Sequence, residues 1–375
     1  MREGKRGSDW RTGPLPGGRG IALLMVLWVL TILMVIVFSF SYMTRADIHA
    51  SLTFKEWTAK KFLAEAGIER GIMEIFYRVQ NLNAPAVDGS EVWKTDGTPY
   101  KVDTDNGRFV VSIIDESGKI NINTLNDTSG IIFKNLLMNS GVQEEIADTI
   151  VDSTLDWKDN TGGDLHRLHG AGDDYYMSLP NPYKPPHDIF QTLEELLLVK
   201  GMTPDILYGD GKKKGIINFL TVNSASAAIN LNAAAREVLA AIPGIGDDDI
   251  EAILSLRDNP ADAAGLQAFL GKITPPFNGF VTSGATGSTF TIDSIGLKGD
   301  EKSGCAIRAT VMTGTNAGVT TGTTLKRMKG GQIVAIPVQS VIPSSPVNMD
   351  SSKPPYVYLY YKSPADVKYD SDSSH

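Results

Sequence analysis

From Ile21 to Thr44 the chain carries no charged residue and is dense in Leu, Ile, Val, Met and Phe. About 20 such residues suffice to cross a bilayer as a helix, so the pattern predicts a transmembrane segment over 21–44. Helical spacing continues beyond it in Ala59, Phe62, Leu63 and Ala66, and then in Ile68, Ile72, Ile75, Phe76 and Val79. Between Ile21 and Asn81 there is no proline, and Gly67 and Gly71 are the only glycines. One long helix is predicted, and its outer part over 45–81 has an apolar stripe to bury. No a/d heptad with flanking charges is sustained there, which argues against a coiled-coil stalk.

After the helix the period changes. Leu82 to Tyr100 reads as a turn-rich exit with Asn83, Pro85, Gly89 and Gly97. Arg108 to Asp115 is short, β-branched and bounded by glycines, which predicts a strand. Helical patterning then holds from about 119 to 272. Strand-like runs return at Thr289–Ile295, Ala306–Met312, Gln332–Val338 and Tyr356–Tyr361, among loops rich in Gly, Ser and Thr. The expected fold is therefore α+β: a β-sheet region formed by 82–118 and 273–375, with an α-helical domain over 119–272 inserted between its strands.

The helical stretch repeats itself weakly, since Ile120-Asn121-Ile122-Asn123 recurs as Ile229-Asn230-Leu231-Asn232. Asn123 and Asn232 are candidate side-chain caps for the helices that follow. Each copy later has a glycine turn and a second helix: Gly141-Val142 before Ile146–Leu155, and Gly244-Ile245-Gly246 before Ile250–Arg257. Two small related modules, SAM-like or helix-hairpin-helix-like, account for this. The second copy, Val238 to Gly246, resembles a helix-hairpin-helix element, whose hairpin backbone holds a nucleic-acid phosphate. Here Asp247, Asp248 and Asp249 open the next helix, where they suit its dipole and repel a phosphate.

Charge agrees with that exclusion. The 375-residue chain has a formal net charge of −8, which offers nucleic acid no general attraction. The N-terminus is the local exception, with Arg2, Lys5, Arg6, Arg11 and Arg19 against Glu3 and Asp9. Basic flanks favour the cytoplasmic side, so the head is expected outside. A cleaved secretory signal has an apolar core of only about 7–15 residues before an Ala-x-Ala-like site, which does not describe this run. The single Cys305 allows no internal disulfide. No nucleophile elbow, phosphate loop or dinucleotide fingerprint is present, and no enzymatic activity is expected.

Arg19-Gly20-Ile21-Ala22-Leu23-Leu24 places a basic residue and a glycine directly against the apolar run. It resembles the leader junction of type IV pilins and pseudopilins, which is cut after the glycine on the cytoplasmic side. The resemblance implies a leader over 1–20, cleavage between Gly20 and Ile21 by a prepilin peptidase, and N-methylation of Ile21. Pilin-like proteins usually carry Glu at the fifth mature position; Met25 stands there in this chain, as in K-type minor pseudopilins of type II secretion systems, which lack that acid.

The likeness to K-type pseudopilins is most specific between Asp156 and Gly201. It covers Asp156-Trp157-Lys158-Asp159, Gly170-Ala171-Gly172-Asp173-Asp174-Tyr175-Tyr176, and Phe190 through Leu193-Glu194-Glu195-Leu196 to Val199-Lys200-Gly201. It implies a minor subunit at the tip of a periplasmic pseudopilus, anchored in the inner membrane by one helix and joined to I-type and J-type partners. It also implies calcium, for which Asp156, Asp159, Asp164, Asp173 and Asp174 are the candidate ligands. An irregular loop rich in Asp and Gly can supply the several oxygens calcium takes, although Gly172 replaces the family's usual glutamate. His166, His169 and His187 lie nearby without the ligand spacing of a zinc site. Two alternatives stay open: a membrane-anchored helix-hairpin-helix protein of DNA uptake, and a pilin-like protein of a pilus-assembly system.

Overall fold

The computed structural model describes residues 18–81, 92–159, 166–210, 213–224, 226–258, 265–284, 287–299, 303–313, 323–327, 333–337 and 356–368. It divides into two compact units, 1–59 and 60–375.

The first unit holds most of the long helix α1 (Gly18–Asn81). Its large apolar side chains from Leu23 to Met43 are exposed. By length and composition α1 is able to cross a membrane, its most apolar window averaging 2.9 in hydropathy.

In the second unit the end of α1 lies on an antiparallel five-stranded sheet of order β1-β2-β7-β8-β11. These strands are β1 (Tyr100–Thr104), β2 (Gly107–Asp115), β7 (Thr289–Leu297), β8 (Ser303–Thr313) and β11 (Tyr356–Lys368). The stripe Ala64, Ile68, Ile72, Ile75 and Phe76 packs against Val111, Ile113, Phe290, Ile292, Ile307, Ala309 and Val311. Alternation explains which sheet residues do this, because every second residue of a strand faces the same side. The edge strand β1 begins where the segment read as an exit from the helix ends, and its five residues alternate half-buried Tyr100 and Val102 with exposed Lys101 and Asp103.

Strands β2 and β7 are direct neighbours, with Asp115 opposite Phe290. The chain leaves the sheet at Asp115 and returns at Thr289, and the intervening elements form the insert. They are α2 (Gly130–Asn139), α3 (Glu144–Lys158), α4 (Asp173–Met177), α5 (Pro204–Tyr208), α6 (Arg236–Ala241), α7 (Asp247–Asp258) and α8 (Leu266–Leu270). Four two-residue strands accompany them: β3 (Ile120–Asn121) beside β4 (Leu220–Thr221), and β5 (Ile229–Asn230) beside β6 (Val281–Thr282). Strands β9 (Thr323–Arg327) and β10 (Ile333–Pro337) pair as a separate hairpin. The α+β arrangement of a long apolar helix, an antiparallel sheet and helices inserted between its strands is therefore the observed one.

The repeated Ile-Asn motif has a common local chemistry. Asn121 Oδ1 accepts from Asn123 N at 3.0 Å, and Asn230 Oδ1 accepts from Asn232 N at 3.1 Å. The first asparagine of each motif thus closes the short turn that begins at once, while the following helices α2 and α6 begin after Ser129 and Ala235 without a side-chain cap from those residues, so neither Asn123 nor Asn232 is their N-cap. Asn123 instead brackets Phe190, accepting from its N at 2.8 Å and donating to its O at 2.9 Å. At the far end of each copy a base reaches back: Lys158 Nζ donates to Leu125 O at 3.0 Å, and Arg257 Nη1 to Ala234 O at 2.6 Å.

The two copies share one continuous core, with Phe133, Leu136 and Trp157 from the first and Val238, Leu239 and Ile253 from the second. Asn135 Nδ2 donates to Ala241 O at 2.9 Å across their contact. In the hairpin of the second copy Gly244 has φ +99°, and a Cβ there would stand 2.6 Å from Lys272 O. Asp249, at the start of α7, accepts from Gly246 N at 3.3 Å and from Lys272 Nζ at 2.5 Å. That helix start is thus served by the protein's own carboxylate.

Candidate functional site

Helix α3 brings the acidic segment into the insert. Glu144 and Glu145 lie in its first turn and Lys158 in its last, both favourable to the helix dipole. Its inner face buries Ile150, Leu155 and Trp157. That register carries Asp156 inward too, to 7% exposure.

A buried carboxylate needs partners, and Asp156 finds them in Arg167. Its Oδ1 accepts from Arg167 Nη1 at 2.8 Å, and its two oxygens lie 3.2 and 3.1 Å from Arg167 N. The same guanidinium donates through Nε to Asp127 Oδ1 at 2.7 Å and lies 3.9 Å from Asp159 Oδ2. Burial raises the Asp156 pKa, and the hydrogen bonds from Arg167 oppose that rise. Arg167 holds the exposed Asp127 carboxyl below its ordinary range. Gly170 has no Cβ because Asp156 Oδ2 occupies that space.

Asp173 opens α4, where Nε2 of His187 stands 2.8 Å and Nζ of Lys184 3.1 Å from its carboxylate. The other ring nitrogen of His187 is 3.0 Å from the Asp159 carbonyl oxygen. Of the five candidate aspartates, Asp156 and Asp159 therefore face one arginine, and Asp159 and Asp173 are joined through His187. Asp174 is exposed, and Asp164 lies outside the described residues.

An aromatic floor supports this segment. Trp157 stacks on Phe190 at 5.9 Å and meets Tyr176 edge-on at 5.5 Å. Lys200 lies 5.0 Å over the Tyr175 ring and donates to Gly170 O at 3.0 Å. Burial drives the Tyr176 hydroxyl pKa upward. Lys158 donates to Ile122 O at 2.7 Å, and burial, with repulsion from Arg167, lowers its pKa to about 8.

Among the described residues no group of three or more His, Cys, Asp or Glu is placed to hold a metal. Among the described residues Asp156, Asp159 and Asp173 meet nitrogen donors instead of a common point, so they do not present the oxygen cage that calcium takes. The three histidines also diverge: His166 Nδ1 contacts Arg167 O, His169 Nδ1 contacts Asp152, and His187 is held as above. Sequence reasoning missed Arg167, Asp127 and Lys184. One signal was available, because Arg167 is the only arginine between Arg108 and Arg236.

The leader positions stand apart from this cluster. Gly20 and Ile21 lie within the first turns of α1, and Met25 is exposed on it. Residues 1–17 are outside the described residues.

Comparison with known proteins places the acidic segment in a family. Residues 118–208 match the family model for type II secretion system (T2SS), protein K. Over 272 residues the chain is 28% identical to type II secretion system protein K of Pseudomonas aeruginosa, covering 68% of this chain and 75% of the relative. The protein K of Pectobacterium carotovorum is 27% identical over 206 residues, covering 50% of this chain and 60% of the relative. That of Klebsiella pneumoniae is 28% identical over 195 residues, covering 49% and 58%. A crystal structure of the GspK-GspI-GspJ complex from enterotoxigenic Escherichia coli aligns over 76% of this chain and 97% of the solved chain. Its TM-score is 0.49 at 13% identity. The matched segment is the one folded around Asp156, Arg167 and the Trp157–Phe190 stack, so the motif likeness and the family model meet in the same residues, and what the chain resembles is protein K, the minor pseudopilin of type II secretion systems.

Proposed function

We propose that this chain stands at the tip of a type II secretion pseudopilus and starts its assembly with I-type and J-type minor pseudopilins, in support of the export of folded proteins. In this reading the apolar part of α1 anchors it once in the inner membrane, with the N-terminus cytoplasmic and the head periplasmic. A prepilin peptidase removes 1–20, the new N-terminus at Ile21 is methylated, and the protein has no catalytic role.

The observation that carries the tip position is Met25 on the exposed apolar face of α1. Cleavage leaves a charged α-amino group on an apolar helix, and such a charge among packed helices is costly unless paired. A glutamate at the fifth mature position supplies the pairing for a neighbour's amino group. A thioether supplies none, so a subunit with Met25 is best placed where no further N-terminus docks against it. The insert between β2 and β7 adds bulk to the head, which favours the same place. Basic residues before α1 support the orientation.

Labelled antibody against the head tests this on sheared pseudopili. Label confined to filament ends is expected, and Met25→Glu is expected to assemble without entering the shaft. Regular labelling along the shaft overturns the reading.

A further inference from the structure

We propose that Arg167 is the resident cation of the acidic segment, holding the charge-balancing place that the family resemblance assigns to calcium. The inference is independent of where the subunit sits in a filament.

The geometry is that of a clamp on one buried carboxylate. Asp156 ends α3 inside the insert, and both of its oxygens are engaged by Arg167, through the side chain at 2.8 Å and the backbone at 3.2 and 3.1 Å. The backbone contact joins Arg167 to a residue 11 positions earlier in the chain, at the last turn of α3. The planar guanidinium then spends a second donor on Asp127, which precedes α2, at 2.7 Å. One side chain thereby joins the entrance of α2, the exit of α3 and the returning loop. A divalent ion in an oxygen-lined loop does the same by collecting carboxylates from separate elements. Arginine is suited to the task because its donors are fixed in a fork that binds carboxylates on two edges, whereas lysine offers a compact point charge.

The surroundings leave the same imprint. Gly170 is required because Asp156 Oδ2 fills the Cβ position, so the carboxylate is pressed against the backbone that follows the clamp. Asp173 meets Lys184 and His187, and the Gly170 carbonyl accepts from Lys200. Carbonyl and carboxylate oxygens that a calcium ion would recruit are thus facing cationic or nitrogen donors from the chain. Gly172, where the family usually has glutamate, removes one further oxygen ligand.

The test uses the full-length chain in detergent, purified through a chelator. Equilibrium dialysis with calcium alone and thermal melts in calcium or chelator are expected to show no stoichiometric binding and no change in Tm. Arg167→Gln leaves Asp156 buried without its countercharge, and a Tm loss of roughly 5–10 °C is expected. Arg167→Lys is expected between the two, and Asp156→Asn with Arg167→Gln is expected to recover part of the loss. About one equivalent of calcium bound by the wild-type chain, or a chelator-induced fall in its Tm, overturns the proposal. Arg167→Gln with wild-type stability overturns it as well. Should Arg167→Gln fail to accumulate, dialysis of the wild-type chain and the melt of Arg167→Lys decide.

Discussion

Gly67 of α1 lies so close to Ser294 of β7 that a Cβ on the glycine would run into the serine Oγ. The same side of the helix repeats the device one turn later, where a Cβ on Gly71 would stand 2.8 Å from Ile292 Cγ2. From the sheet, Gly296 faces α1 with Ala64 N 2.6 Å from its Cβ position. Helix and sheet thus meet through missing side chains, which lets Ile68, Ile72 and Ile75 reach deep into the β layer.

This contact sets the cost of filling it. Gly67→Val is expected to destabilise the chain by about 1–3 kcal/mol through overpacking, even though leaving glycine favours the helix by itself. Gly279→Ala is the control, because a Cβ there meets nothing within 4 Å, and its effect is expected within about 0.5 kcal/mol. Urea unfolding of the full chain in detergent measures both. Equal stability of Gly67→Val and wild type would show that α1 does not pack on the sheet at this distance.

A second expectation concerns Asp115, where the chain leaves the sheet for the insert. It is buried, and burial raises its pKa above the ordinary 3.8 despite hydrogen bonds from Ser117 and Gly287. Glu116 adds to the rise, and the half-buried Arg78 acts on it with opposite charge. A raised folded pKa means a stability contribution that is complete below the ordinary carboxylate range. It is lost as pH climbs through the higher folded value. The wild-type chain should therefore lose stability relative to Asp115→Asn as pH rises from about 4 toward neutrality. Asparagine keeps the acceptor for Ser117 but turns an amide toward Gly287 N, so an offset of about 1–3 kcal/mol, constant with pH, accompanies the change. A stability difference that stays flat from acid to neutral pH would remove Asp115 as the titrating group.

Processing gives a third expectation. N-terminal sequencing of membrane-extracted protein should begin at Ile21 with a methylated amine, and Gly20→Val should leave the leader attached. A mature chain beginning beyond residue 42 would point to an ordinary signal peptidase, and an intact Met1 in the wild type to a simple anchor.

Much of this was legible locally. The uncharged run over 21–44, the stripe ending at Phe76 and the β-branched run of β2 each follow from neighbours within one segment, because a helix or strand repeats on its own period. The hairpin glycine at 244 was equally plain, since few residues other than glycine adopt its φ. The edge strand β1 was not legible, because Tyr100-Lys101-Val102-Asp103 alternates over too few residues to mark a strand without its pairing with β2. The caps expected at Asn123 and Asn232 were misplaced, because each motif closes a local turn of its own and the helices that follow begin later, after Ser129 and Ala235.

What the sequence alone determined was the order of elements, the long apolar helix and the likeness to protein K, since each rests on residue type and spacing along the chain. The tertiary structure decided the partnerships: glycine against Ser294 at the helix–sheet contact, and Arg167 against Asp156 and Asp127 in the insert. Such pairs form when segments distant in sequence are packed together. Burial then makes an unpaired carboxylate costly and a single well-placed guanidinium decisive.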